Sequence, residues 1–117
     1  MLSVRTPDPV VFAALADPTR LFLVEQLTDV PSRSTTQLVA GTGLSRQAVR
    51  KHLGVLAEAG LVRHHREGRT RLWQLDALPL RDVSEWAASY RRHWEQRLDR
   101  LEHYLDTTQG AIDESTP

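Results

Sequence analysis

The residues with the clearest chemical potential form a polar cluster near the middle of the chain. Arg46, Gln47 and Arg50 follow Ser45 within about two turns of a predicted helix and share its exposed face. Arginine pairs well with guanine, and glutamine with adenine, in the major groove of DNA, so these three residues are our candidates for contact with base edges. Contact with phosphates alone is the alternative for each, because most protein–DNA hydrogen bonds go to the backbone.

Neighbouring residues are candidates for contact with the DNA backbone. Ser45 can bind a phosphate through its hydroxyl and the local amides, and it can act as the N-cap of the helix at the same time. We expect Lys51 to contact a phosphate. His52 lies beside the buried stripe of the helix, and either a packed, hydrogen-bonded histidine or a phosphate contact fits the pattern. Arg66 and Arg69 flank a predicted hairpin tip and would reach the minor groove or its phosphates.

A helix-turn-helix would hold this cluster in place. Ser34 and Gln37 have the spacing of a capping box at the start of a short helix. Gly43 suits a backbone position with positive φ in the turn between two steeply crossed helices. We expect Leu44 to point inward between them. Val49, Leu53 and Leu56 then form the buried stripe of the second helix.

A β-hairpin, or wing, follows this second helix. Gly60 has the position of a helix C-cap, and Glu67-Gly68 marks the tip of the hairpin. Trp73 lies on the return strand, where we expect it in the core or at the base of the wing. The helix-turn-helix and the wing together are typical of a protein that sits on duplex DNA.

Charge is distributed unevenly along the chain. The whole sequence contains 15 basic and 15 acidic residues, which taken alone argues against a nucleic-acid partner. Between Leu44 and Arg71, however, seven basic residues stand against two acidic ones, and both flanking segments are acidic overall. Ordinary solvated surface is the alternative interpretation of the basic segment. The position of the basic residues on one helix face and the wing favours a DNA partner, since basic side chains neutralise phosphates and release counterions.

Length and composition limit the remaining classes of protein. At 117 residues we expect one domain over residues 1–106 and a flexible C-terminal tail over residues 107–117. The absence of cysteine excludes disulfides and thiolate metal sites. No apolar run approaches the ~18 residues of a membrane span, and the N-terminus lacks a signal-peptide pattern, so we expect a cytoplasmic protein. Paired carboxylates, nucleophile–base pairs and phosphate loops are not recognisable, so an enzyme is not expected.

The first and last predicted helices have apolar surfaces that one small domain cannot easily cover. Asp8-Pro9 begins a short helix that is apolar nearly all round. A long helix begins near Pro79, and its apolar positions step by three or four residues over about seven turns. Aromatic residues on that stripe are typical of an interface, and we expect a two-fold homodimer. The interface residues that we predict are Val10, Val11, Ala14, Trp86, Tyr90, Trp94, Leu98, Leu101 and Leu105.

Three stretches together resemble the ArsR family of bacterial winged-helix regulators. They are residues 12–20, 43–53 and 56–62, and the resemblance extends over about residues 10–105. It implies a mainly α winged helix-turn-helix with a β-hairpin wing, in the order α-α-α-α-β-β-α, and a dimer through the first and last helices. It also implies a homodimeric, sequence-specific transcriptional regulator, usually a repressor, that acts at a two-fold operator and could regulate its own promoter. A winged-helix module that binds protein and not DNA is the alternative, which salt-dependent DNA binding would exclude.

The sequence departs from the family pattern where family members bind metals. Some members use a Cys-x-Cys pair, and this chain has no cysteine. Others use Asp, His and Glu ligands on the last helix, but Arg91 and Tyr104 stand where two of those ligands would be. His93 and His103 are then expected to be exposed or interfacial, and strand alternation directs the His64-His65 pair to opposite faces. We therefore expect neither a metal site nor a cofactor, and the sequence identifies no small-molecule effector.

Overall fold

The computed structural model describes residues 6–115, with side chains described as far as residue 108. The elements are α1 (Pro9–Leu15), α2 (Pro18–Gln26), β1 (Arg33–Ser34), α3 (Thr35–Thr42), α4 (Arg46–Glu58), β2 (Val62–Glu67), β3 (Thr70–Leu75) and α5 (Ala77–Ser115). This is a mainly α winged helix-turn-helix with a β-hairpin wing, which confirms the predicted fold class. The short strand β1 was not predicted. Residues 6–83 form one compact unit, and α5 from Ser84 onward belongs to a second.

The first two helices begin at the two Asp-Pro pairs. The carboxylate of Asp8 accepts a hydrogen bond from the backbone N–H of Val10 at 3.0 Å, and the carboxylate of Asp17 accepts one from the N–H of Arg20 at 3.0 Å. The proline after each aspartate occupies the first helical position, where its fixed φ fits and its missing N–H is not needed.

The helix-turn-helix is capped as the sequence predicted, but one side chain points differently. The Ser34 hydroxyl accepts from the N–H of Gln37 at 3.1 Å, and the Gln37 side chain accepts from the N–H of Ser34 at 2.8 Å, so the capping box is present. Gly43 has a φ of 70°. Leu44 is 39% exposed, and the prediction that it points inward is wrong. Leu38 is fully buried and is part of the packed core, whereas Leu44 lies at the exit of the turn.

One hydrophobic core holds residues 6–83 together. The predicted stripe of α4 lies in this core with no exposed surface, since Val49, Leu53 and Leu56 are all fully buried. Leu80 and Val83, in the first turns of α5, pack against the same core. The stripe fixes which face of α4 points inward and therefore which face remains outside.

The wing is joined to the helix-turn-helix through a three-stranded antiparallel sheet in the order β1-β3-β2. Trp73 on β3 pairs with Arg33 of β1 and with His64 of β2. Its side chain is buried, and its indole N–H donates to the Thr35 hydroxyl at 2.9 Å. Trp73 therefore supports the base of the wing, as predicted.

Thr35→Val should lower the free energy of unfolding by about 1–3 kcal/mol, because it leaves the buried indole N–H of Trp73 without an acceptor. Thr35→Ser keeps the hydroxyl and is the matched control. Urea unfolding followed by tryptophan fluorescence measures both variants. Equal stability of the two variants would mean that this hydrogen bond contributes nothing.

The last helix is longer than the sequence predicted. α5 begins after Asp76, whose carboxylate accepts from the N–H of Leu78 at 3.1 Å, and it continues to Ser115. The backbone of residues 107–115 is helical, although we expected a loose tail there. No proline occurs in this segment before Pro117, so nothing breaks the helix. Within residues 6–115, none of the helices has an apolar stretch long enough to cross a membrane.

Candidate nucleic-acid interface

The outer face of α4 carries the polar residues that the sequence singled out. Ser45 caps the helix, with its hydroxyl accepting from the N–H of Ala48 at 3.1 Å. Gln47, Arg50 and Lys51 are exposed and line a shallow groove together with Ser45 and Ala48. The residues of the buried stripe hold the opposite side of the helix in the core, so this polar face is presented to solvent.

A small basic cleft lies between the start of α3, α4 and the wing, and we call it the arginine cleft. It has a volume of ≈ 110 Å³, and no acidic side chain is among the described residues that line it. Its lining residues are Ser34, Thr35, Thr36, Arg46, Arg50, Arg66, Arg69, Thr70 and Arg71. Arg50 lines both this cleft and the groove of α4, so the two form one continuous basic surface.

Arg46 is tethered to the first helix of the helix-turn-helix. Its Nη2 donates a hydrogen bond to the hydroxyl of Thr36 on α3 at 2.7 Å. The guanidinium group is therefore held at the wall of the arginine cleft. It is absent from the residues that line the groove around Gln47 and Lys51.

The wing contributes three arginines to the cleft. Arg66 and Arg71 are directly opposite each other in the β2–β3 register, and Arg69 lies in the turn after Gly68, which has a φ of 64°. Arg71 places its Nη1 3.0 Å from the Nδ1 of His64. Since arginine only donates, that imidazole nitrogen is the acceptor.

Sequence reasoning missed Arg71, because it shares a strand face with the inward-pointing Trp73. The signal that would have found it is the hairpin register. A two-residue turn at Gly68 and Arg69 pairs Arg66 with Arg71, which puts two arginines side by side.

His52 is a packed, hydrogen-bonded histidine, the first of the two alternatives that the sequence left open. It is half-buried, and its Nδ1 lies 3.2 Å from Nη1 of Arg20. Arg20 also donates from Nε to the carbonyl of Ala14 at 2.6 Å. The side chain of Arg20 thus joins α1, α2 and α4, a role that its sequence position near the polar face of α2 did not reveal. His52 is not among the residues that line the groove or the arginine cleft.

The carboxylate of Asp17 belongs to the same junction. The backbone N–H of Arg20 holds the pKa of the Asp17 carboxyl below its ordinary value. Desolvation opposes this effect, and the guanidinium charge of Arg20 lowers the pKa further. The ionised form of Asp17 is therefore the one that stabilises the start of α2.

Asp17→Asn should remove part of the loss of stability in acid. Because the pKa of Asp17 is depressed in the folded state, its contribution is present above its ordinary pKa and is lost as the pH falls through the folded value. Urea midpoints measured between about pH 7 and pH 3 should fall less steeply for Asp17→Asn than for the wild type. Asp8→Asn, at the other Asp-Pro cap, is the matched control. This variant should keep the part of the stability loss in acid that arises from Asp17. Parallel curves for wild type and Asp17→Asn would contradict the assignment.

This chain is similar to known helix-turn-helix proteins. A family model described as "Helix-turn-helix domain" matches residues 15–65, the segment from the end of α1 into the wing. The HTH-type transcriptional regulator Rv2034 of Mycobacterium tuberculosis is 34% identical over 107 residues, which cover 92% of this chain and 95% of that protein. The chain belongs to the ArsR family of HTH-type transcriptional regulators.

Solved structures agree with this assignment. The ArsR-like transcriptional regulator from Rhodococcus sp. RHA1 is similar to this chain with a TM-score of 0.71 and 28% identity, over 85% of this chain and 90% of that one. A structure described as a possible transcriptional regulator for arsenical resistance has a TM-score of 0.60 and 37% identity, over 78% and 91% of the two chains. This ArsR-family protein is a DNA-binding transcription regulator and not an enzyme.

The first helix of this ArsR-family regulator offers less surface than the sequence indicated. Val10 is 52% exposed, but Val11 and Ala14 are buried in the core of residues 6–83. The reason is that α1 packs on α2 and α4, which covers its inner face. Val11 and Ala14 are therefore core residues, not the interface residues that the sequence predicted, and Val10 stays a prediction.

The last helix, taken by itself, carries a long exposed apolar stripe. Trp94, Leu98 and Leu101 are each more than half exposed. The ring of Trp86 packs edge-on against Tyr90 at 5.0 Å between centroids, and the guanidinium carbon of Arg97 lies 5.0 Å from the centroid of the Trp94 ring. Tyr90, Trp94, Leu98, Leu101, Tyr104 and Leu105 are the exposed large side chains of this stripe.

Within residues 6–108, the histidines and carboxylates do not gather into a metal site. Among the described residues, no group of three or more His, Asp or Glu side chains has the arrangement of a metal site. His64 faces Trp73 with 4.7 Å between ring centroids, and it is opposite Trp73 in the register, whereas His65 is opposite Leu72.

Proposed function

We propose that this regulator is a homodimeric repressor that binds a two-fold symmetric operator in the cytoplasm. The observation that carries the proposal is the continuous basic surface formed by the outer face of α4 and the arginine cleft, which share Arg50. A recognition helix beside a basic wing fits the major groove and the adjacent backbone of one operator half-site.

Within this proposal, the exposed residues of α4 divide between bases and phosphates. Gln47 and Arg50 extend from the exposed face, and we assign them to adenine and guanine edges in the major groove. Ser45 and Lys51 flank them and contact phosphates. Arg66 and Arg69 reach the backbone or minor groove from the wing.

The exposed stripe of α5 supports the dimer. Large apolar side chains that are about half exposed in a single chain are typical of a surface that is covered in an oligomer. A second copy presents the same stripe about a two-fold axis, so the contact is self-complementary. Val10 of α1 is the other exposed apolar residue that we assign to this interface.

A titration of the purified protein against its own upstream DNA, repeated over a range of salt, tests the proposal. We expect saturable binding to a two-fold site with on the order of 6 to 10 phosphate contacts, and therefore a steep fall of affinity with salt. If that DNA is not preferred, selection from random-sequence duplexes gives the operator. In vitro transcription from the bound promoter then separates repressor from activator by the sign of the effect.

Absence of binding to every duplex at low salt would overturn the proposal. That result would favour the alternative function, a winged-helix module that recognises protein through the same surfaces.

A further inference from the structure

We propose that the arginine cleft is an oxyanion site that holds one backbone phosphate of the bound duplex, and that Arg46 belongs to this site and not to base readout. The identity of the oxyanion as a DNA phosphodiester rests on the proposed function. The existence of the site rests on the geometry of α3, α4 and the wing alone.

The charge of the cleft is the first argument. Five guanidinium groups line it, and within residues 6–108 none of the five has a carboxylate at ion-pair distance. Like charges gathered in a small concave space repel one another, and a bound anion relieves that repulsion. By contrast, Arg63 on the same wing lies 3.7 Å from a carboxylate oxygen of Asp76 and does not line the cleft.

The size of the cleft is the second argument. Its volume of ≈ 110 Å³ is below the roughly 300–1,000 Å³ of pockets for small organic ligands. A single water takes about 30 Å³ of liquid, so the cleft has room for a group of a few heavy atoms. A phosphate group fits this description.

The hydrogen bond of Arg46 is the third argument. Bidentate recognition of guanine uses the terminal fork of the guanidinium group. In this structure one of the two terminal nitrogens, Nη2, donates to the Thr36 hydroxyl at 2.7 Å. Three of the five N–H donors of Arg46 belong to its other two nitrogens, and they suffice for an oxyanion at the cleft wall. Thr36 is accordingly a positioning residue for Arg46.

The wing holds a second guanidinium group on the other side of the cleft. Arg71 is positioned by the acceptor nitrogen of His64 at 3.0 Å and stands opposite Arg66 in the strand register. Two arginines, each fixed by a neighbour on a different element, therefore converge on the same cleft. Such pre-oriented guanidinium groups lose little rotamer freedom when they bind a phosphate.

Salt dependence and specificity together separate a phosphate contact from a base contact. We would compare wild type, Arg46→Gln and the matched control Arg63→Gln on the selected operator and on a scrambled duplex. Arg46→Gln should weaken binding to both duplexes by the same factor, about tenfold or more. The slope of log affinity against log salt should become shallower by about one for each subunit. Arg63→Gln should stay close to wild type on both duplexes.

The opposite pattern would overturn the assignment. If Arg46→Gln weakened binding to the operator alone and left the salt slope unchanged, Arg46 would read a base. If it behaved like Arg63→Gln, the cleft would hold no phosphate of the duplex.

The tether is tested by variants of Thr36. Thr36→Ser keeps the hydroxyl and should bind both duplexes like wild type. Thr36→Val removes the acceptor and should reproduce part of the Arg46→Gln effect, with the specificity ratio unchanged. Equal behaviour of the two variants would exclude a positioning role for this hydroxyl.

Inorganic phosphate distinguishes failure of the site from failure of the proposed function. In NMR spectra of the ¹⁵N-labelled full chain, inorganic phosphate should shift the Nε–H signals of Arg46 and Arg71 saturably, and leave that of Arg63 in place. If inorganic phosphate bound but no duplex did, the oxyanion site would be retained. The proposed function would be overturned, and so would the identification of the oxyanion as a DNA phosphate. Duplex binding without these shifts, and without an Arg46→Gln effect, would overturn the site and retain the function.

Discussion

The double substitution Gln47→Ala and Arg50→Ala should lower affinity for the operator by about 100-fold or more, because each good bidentate base contact is worth about 1–3 kcal/mol. Both side chains lie on the exposed face of α4, opposite the fully buried stripe. Alanine is the best helix former, so α4 should keep its structure. Titration of the variant against operator and scrambled duplexes measures the effect, and circular dichroism checks the fold.

Lys51→Ala is the informative comparison on the same helix. We assign Lys51 to a phosphate, so this variant should weaken binding to both duplexes by similar factors and leave their ratio unchanged. The affinity of the double variant for the operator should instead fall close to its affinity for the scrambled duplex. If it kept the wild-type preference for the operator, α4 would not be the recognition helix.

The second large effect is expected on α5. Trp94→Asp together with Leu98→Asp should convert the proposed dimer into monomers, since both side chains are about half exposed in the single chain and would be buried between two copies. Fully burying one such side chain is worth about 1.5–3 kcal/mol, and each interface contains two copies of each residue. Light scattering measures the molar mass. Operator affinity should fall when the dimer is lost, because a monomer contacts only one half-site.

A matched variant separates a lost interface from added charge. Gln96→Asp also introduces an acidic group into α5, but position 96 lies on a different face of the helix from the stripe. It should remain dimeric and bind the operator. Residues 6–83 have their own core, so the buried surroundings of Trp73 should be unchanged in either variant. Intact dimers of the double variant would place the interface elsewhere.

The amino-acid sequence by itself determined the features that depend on near neighbours. The caps at Ser34 and Ser45 and the positive φ of Gly43 follow from groups within a few residues of each other. The stripe of α4 follows from helical periodicity, because side chains three and four residues apart share a face. The fold class and the exposed face of α4 could therefore be predicted without coordinates.

Only the tertiary structure decided which side chains meet across elements. The hydrogen bond between Trp73 and Thr35 joins residues 38 positions apart, and the one between Arg20 and His52 joins residues 32 positions apart. No local pattern encodes such pairs, because they arise where separate helices and strands pack on one core.

The same reason explains what sequence reasoning misjudged at the site and at the proposed interface. Val11 looked like interface surface until α2 and α4 were seen to cover it. The hydrogen bond from Arg46 to Thr36 joins two helices, and the sequence did not predict it. Arg71 joined the cleft only through the register of the hairpin. The sequence specifies each helix and its outward face, and the packing of these helices and strands determines which charged groups converge.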